Sequence, residues 1–172
     1  MSQQVYTVTF KGGPLTLVGK QPEVGAKAPD FKLAANDLSI KTLADFAGKT
    51  LVISAVPSLD TPVCDLETRT FNEKATALGP DVQVLTVSMD LPFAQARWCG
   101  AHGIKNVITL SDYRGGSFGE SYGVLIKELH LLTRAVYVVD KHGVVRYRQI
   151  VPEVTHEPNY DEVLAAVAAL KK

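Results

Sequence analysis

The sequence is poor in cysteine and lacks several patterns that would announce a function. Only two cysteines occur in 172 residues. They do not form a C-x-x-C pair, so that redox motif is excluded. Two cysteines in a reducing compartment need not be a structural disulfide, and buried small hydrophobes are the plainest alternative. Cys99 and His102 are spaced like part of a zinc site. A closed site needs four ligands, and the other histidines, His130, His142 and His156, supply no second pair at ligand spacing. No G-x-G-x-x-G follows a strand, which argues against a bound dinucleotide. The sequence therefore leads us to expect no flavin, nicotinamide, haem or metal. Charge of one sign is also absent: 18 basic residues face 18 acidic ones. A nucleic-acid stripe or a membrane-binding surface is thereby disfavoured. No apolar run approaches the roughly 18 residues of a membrane span. The start, MSQQVYTVTF, has neither the basic nor the apolar region of a secretory signal. A cytoplasmic, thiol-reducing setting is the expectation.

What is present is an ordinary globular composition, 46% hydrophobic and 21% charged, with no internal repeat. Its length suits one domain with a real core. Val5 to Val18 reads as two strands around Lys11-Gly12-Gly13-Pro14, a hairpin. A linker follows from Lys20 to Asp30. Phe31 to Leu33 and Ile40 to Thr42 read as a second short pair, and Leu43 to Phe46 as one helical turn ended by Gly48.

A repeating theme comes next. LVISAV, residues 51 to 56, is a continuous apolar run of the kind found in strands buried on both faces. The pattern predicts a helix from Pro62 to about Leu78, a strand from Val82 to Ser88 and a helix from about Pro92 to His102. Further strands are expected over Val107 to Leu110, Ala135 to Val139 and Val144 to Ile150, with a closing helix from Asn159 to Leu170. Strand–helix–strand–helix, then a hairpin and a helix, is a thioredoxin-like α/β plan: a central mixed sheet flanked by helices, with an extra N-terminal hairpin. We expect one domain over 1–172, with a core at 19–172 and the hairpin at 1–18.

One stretch, PSLDTPVCDLETRTF, places Cys64 directly after the first buried strand. Thr61 can be an N-cap and Pro62 the first helical residue. Cys64 is then third in the helix, near unpaired backbone N–H groups and the positive end of the dipole. Cys64, Phe71, Ala75 and Leu78 share one helix face, so the sulfur faces the body of the protein. It lies beside the C-terminal end of the strand, where open α/β sheets bind ligands. A helix N-terminus favours the thiolate and burial opposes it, so these residues alone leave a reactive and a packing cysteine both open.

Pro57, Thr61 and Cys64 reproduce the spacing PxxxTxxC, the active-site motif of peroxiredoxins. DLPFAQARWCG with Cys99, NVITLSDYR, TRAVYVVDKHGVVRY with Arg134, and THEPNY resemble the bacterial thiol peroxidase subgroup, an atypical two-cysteine class. The resemblance covers nearly the whole chain. It implies that Cys64 is the peroxidatic cysteine, attacking a hydroperoxide to give a sulfenic acid. It implies that Cys99 is the resolving cysteine, closing an intramolecular disulfide with Cys64. It also implies that Arg134 holds thiolate and peroxide together, that Pro57 shields the sulfur, and that Thr61 offers its hydroxyl to sulfur or peroxide unless it is only a cap. A solvated charge is the plain alternative for Arg134. Thioredoxin as reductant and a homodimer are further implications.

Two physical expectations accompany the resemblance. A helix dipole contributes at most ~2 kcal/mol, so making the thiolate cannot by itself make a fast peroxidase. Fixed donors must also meet the charge that develops on the leaving oxygen. Second, a disulfide needs Cα atoms within about 7 Å, so Phe93–His102 or the turn around Cys64 is expected to loosen. Two other readings use the same residues: a peroxide sensor relaying oxidation to a partner, and a binding module whose cysteines only pack. Without C-x-x-C, a general disulfide oxidoreductase is weakened.

Overall fold

The computed structural model describes residues 4–171; positions 1–3, part of the expected 1–18 hairpin, and position 172 lie outside the described residues. The chain builds a seven-stranded mixed sheet and a smaller four-stranded one. The centre of the large sheet is three parallel strands: β5 (Thr50–Ala55), β6 (Val82–Ser88) and β7 (Val107–Ser111). Two crossover helices join them, α1 (Pro62–Leu78) and α2 (Pro92–His102). Both crossovers step across the sheet in the same direction, so with the same hand both helices cover the same face. Antiparallel strands β10 (Ala135–Val139) and β11 (Val145–Ile150) extend the sheet beyond β5. On the far side, β3 (Leu33–Ala34) pairs with β7 and β4 (Ile40–Lys41) with β3. The closing helix α4 (Tyr160–Ala169) starts at Asn159, whose side chain accepts from Glu162 N.

The apolar runs become strands because both sheet faces are covered. Leu51, Ile53 and Ala55 enter one core with Phe31, Phe46, Phe118 and Tyr137. Val52 enters the other with Phe71, Leu78, Val136 and Val163, beneath α1 and α4. Nineteen buried side chains make up the first core, so burial of apolar area dominates the stabilisation.

The first hairpin differs in detail from the expectation. β1 (Thr7–Phe10) and β2 (Gly13–Val18) are joined by Lys11 and Gly12 alone. Both have positive φ, 50° and 82°, the conformation of a two-residue type I′ turn. Gly13 and Pro14 therefore belong to β2 rather than to the turn. Pro14 lies opposite Thr9, one step beyond the pair that closes the turn, where no ladder N–H is required of it. Nor is the hairpin a separate appendage. β2 pairs with β8 (Leu125–Ile126), and β8 with β9 (Leu131–Leu132), making the second sheet. These two strands and the short helix α3 (Ser117–Ser121) fill the stretch between β7 and β10. Among the described residues no helix is long and apolar enough to cross a membrane.

Candidate active site

β5 ends at Ala55 and runs into Val56 and Pro57, both buried. The turn after them is tied down by Asp90. Ser58 Oγ donates to Asp90 Oδ1 at 2.7 Å, and Leu59 N donates to Asp90 Oδ2 at 2.8 Å. Ser88 Oγ also donates to Asp90 Oδ2, at 2.7 Å. The segment that delivers Cys64 is thereby anchored to the end of β6.

Thr61 caps α1 by backbone geometry, with φ −94° and ψ 147°, but its side chain makes no cap bond. Its hydroxyl donates instead to Ser58 O at 2.8 Å. The side-chain cap that the sequence allows is thus not made: the tight 58–61 turn holds the hydroxyl on Ser58 O, and its oxygen accepts from no N–H of the helix start. The first backbone bond of the helix runs from Asp65 N to Thr61 O at 3.0 Å. The N–H groups of Val63 and Cys64 precede it and point out of the helix start.

Cys64 has no exposed surface. Its sulfur lies in a small cluster with Val56, Leu59 and Trp98. Burial of a thiol in such company alone would suit a packing cysteine. What sets it apart is Arg134, whose Nη2 donates to Cys64 Sγ at 3.3 Å. The long step in sequence from 64 to 134 is closed by strand register. β10 runs antiparallel to β5 with Ala135 opposite Ala55, so Arg134 stands at the end of β5 where the cysteine turn begins. Val136, two residues on, faces the α1 side, and Arg134 shares that side by strand alternation.

Arg134 is only 2% exposed, so it is no solvated surface charge. Its Nε donates to Val154 O at 2.9 Å and its Nη1 to Glu67 Oε2 at 2.5 Å. Burial alone would favour loss of its proton, but Glu67 and Cys64 outweigh burial and hold the guanidinium above its ordinary value. Glu67 also receives Ser54 Oγ at 2.8 Å. Burial pushes the Glu67 carboxyl up from its ordinary range, against the pull of Arg134 and Ser54. Sequence reading missed Glu67. The signal was its position three residues after Cys64, on the same face of α1.

Cys99 sits on α2, partly buried, and is a free thiol like Cys64. Its sulfur is 3.4 Å from Thr109 Oγ1 on β7. Thr109 in turn donates to Asn36 Oδ1 at 3.0 Å, which leaves its oxygen to accept from the Cys99 thiol. The partners of the two sulfurs come from strands three spacings apart, β10 and β7, roughly 14 Å. Cys99 itself packs against the small cluster that holds Cys64. A cavity of about 630 Å³ between Phe46, Leu51 and His142 lies at the other end of β5, away from both.

Residues 23–164 match the Redoxin family. Over 165 residues the chain is 58% identical to a thiol peroxidase of Bacillus subtilis, covering 96% of this chain and 98% of that one. It is 55% identical to a thiol peroxidase of Streptococcus pneumoniae, over 95% of this chain and 99% of the other. A peroxiredoxin-like crystal structure from Aquifex aeolicus superimposes with a TM-score of 0.91 at 47% identity, covering 96% and 98% of the two chains.

Proposed function

The chain belongs to the Redoxin family, and we propose that Cys64 is the residue through which it works as a thiol-dependent peroxidase. The observation that carries the assignment is the buried guanidinium 3.3 Å from the sulfur. A permanent cation beside a thiol stabilises its anion, and arginine cannot escape the duty by losing its proton. The thiolate attacks the terminal oxygen of a hydroperoxide. The O–O bond breaks, the electron pair leaves on the distal oxygen, and that oxygen takes a proton from solvent, replacing the one the thiol gave up on ionising, and departs as water or an alcohol. Cys64 is left as a sulfenic acid.

Arg134 is held by Val154 and Glu67, so it needs no reorganisation to meet charge on the leaving oxygen. The N–H groups of Val63 and Cys64 are the supporting donors. Thr61 has given its proton to Ser58 O, so we assign it the acceptor role, taking the peroxide O–H and orienting it. Pro57, buried beside the turn, keeps bulk water from the sulfur. Because Cys64 is sealed in this structure, entry of peroxide requires the 57–61 turn to open.

In this reading Cys99 resolves the sulfenic acid by forming a disulfide with Cys64, and a thioredoxin-type dithiol restores both thiols. Dependence on such a dithiol favours a cytoplasmic, reducing location. A homodimer is supported by exposed apolar side chains at the start of α2, Leu91 at 52% and Phe93 at 68%, and sedimentation at micromolar concentration tests it.

The test of the chemistry is rapid mixing of wild type, Cys64→Ser and Cys99→Ser with hydrogen peroxide and an organic hydroperoxide. Cys64→Ser should not react. Cys99→Ser should consume one equivalent and stop at sulfenic acid. Full turnover by Cys64→Ser would overturn the assignment. Sustained NADPH consumption through a thioredoxin couple separates an enzyme from a slow peroxide sensor.

A further inference from the structure

Asp65 follows Cys64 directly, and Trp98 directly precedes Cys99. The two are joined: Trp98 Nε1 donates to Asp65 Oδ1 at 2.9 Å. His102, one turn further along α2, stacks on Trp98 with ring centroids 4.6 Å apart and places Nε2 3.2 Å from the same oxygen. The other carboxylate oxygen is held by Arg69, with Nη2 at 2.9 Å. One carboxylate beside the first cysteine therefore grips the residues around the second. A second stitch lies one heptad on. Asn72 Oδ1 accepts from Asn106 N at 2.8 Å and from Lys105 N at 3.2 Å, fixing the chain just after α2.

We propose that Asp65 is a latch for the disulfide-forming step: bound to Trp98 and His102, it holds α2 closed and Cys99 away from Cys64. It is a positioning residue and takes no part in the attack on peroxide. The inference rests on the reading that Cys99 resolves Cys64. In that step the Cys99 sulfur attacks the sulfenic sulfur. The S–S bond forms and the S–O bond breaks. Hydroxide leaves and takes the thiol proton as water. The Cys64 sulfur is reduced by one unit and the Cys99 sulfur oxidised by one.

Both thiols are free, Cys64 held by Arg134 and Cys99 turned to Thr109, so closing the disulfide breaks at least one of these contacts. Trp98 cannot leave without breaking its bond to Asp65. The stitch at Asn72 confines the opening to the segment before Lys105. Gly103, in the left-handed region at φ 62°, is the natural hinge at the end of α2. A hydrogen bond to a charged acceptor is worth a factor of about ten to a hundred in such an opening equilibrium.

The experiment follows reduced protein after one equivalent of hydrogen peroxide, with sulfenic acid and disulfide counted by mass spectrometry after a rapid quench. Trp98→Phe keeps an aromatic ring in the core but removes the N–H. His102→Gln removes the stack and the Nε2 contact from the partly exposed side and leaves the Trp98 ring itself in place. Each should speed disulfide formation, Trp98→Phe by about tenfold, and in His102→Gln sulfenic acid should form at the wild-type rate. The peroxide concentration that over-oxidises Cys64 to sulfinic acid should rise in proportion. An unchanged or slower disulfide step in His102→Gln and in folded Trp98→Phe overturns the latch. If Trp98→Phe does not fold, His102→Gln decides alone. Wild type that forms no Cys64–Cys99 disulfide overturns instead the reading on which the latch rests.

Discussion

The two cysteines of this protein sit in surroundings of opposite design. Cys64 lies at a helix start with no exposure, against an ion pair that is itself buried. Cys99 lies within a helix, partly exposed, against a threonine hydroxyl that has already spent its proton on Asn36. The first setting fixes the sulfur against a permanent cation. The second sets it against a neutral hydroxyl, on a helix that reaches the surface. The same side chain thus meets a fixed cation in one case and a neutral acceptor in the other.

Removing the cation is the strongest way to break that contrast. Arg134→Met alone would strand the Glu67 carboxyl in the core, so it is best made together with Glu67→Gln. Peroxide reduction by the folded double variant should fall by about 10²–10³, the usual effect of losing one donor to a developing oxyanion. Rapid mixing should show this loss while Cys99 alkylates as before. An undiminished rate would remove Arg134 from the mechanism.

Next in size is the ion pair itself. Glu67→Ala leaves a guanidinium buried without its partner and should cost about 3–5 kcal/mol in urea unfolding. Glu67→Gln keeps an acceptor for Arg134 and should cost clearly less. Equal losses would mean that packing, not charge, sets the value of this site.

A smaller effect is expected at Cys99. Thr109→Val removes the acceptor of the thiol proton, and one neutral hydrogen bond is worth about 1 kcal/mol. Alkylation of Cys99 should quicken by roughly fivefold, with Cys64 unaffected, since a sulfur released from one such bond is freer to react by about that factor. A slowing would show that Thr109 donates to sulfur, and the contrast between the two sites would narrow.

The smallest effect lies outside both sites. Glu153 accepts from Thr9, Gly12 and Thr155, which draws its carboxyl below the ordinary value of 4.5. A lowered folded value means that its contribution to stability is present above the unfolded value and is lost as pH falls through the folded one. The Gly12 amide resonance should therefore hold steady through about pH 4.5 and shift only in stronger acid. A resonance that titrates around pH 4.5 would deny the contact.

Much of this is legible in the chain alone. The runs 51–56 and 82–88 are apolar because both faces of β5 and β6 are covered, and the Thr61-Pro62 start marks α1 to the residue. Pro57, Thr61 and Cys64 are singled out by their resemblance to the peroxiredoxin motif, while the residues alone leave a reactive and a packing cysteine both open. The stretch between β7 and β10 is not legible. A helix of five residues and strands of two have no period to read, and they exist because β2 and the main core hold them. Thr61 is open in a different way: a threonine at a helix start can cap through its side chain or through its backbone alone, and only the tight 58–61 turn, which holds the hydroxyl on Ser58 O, decides.

By itself the sequence determined the elements, because apolar periodicity and helix-start chemistry are local and act on neighbours in the chain. It determined that a thiol would stand at a helix start beside the end of a buried strand. What the folded structure alone decided is which charges meet that thiol. Arg134 and Glu67 come together through the pairing of β10 with β5 and the face of α1, and the partners of Cys99 through β7. Such meetings depend on strand order and register, which are settled by how whole layers bury their faces and not by any short run of residues.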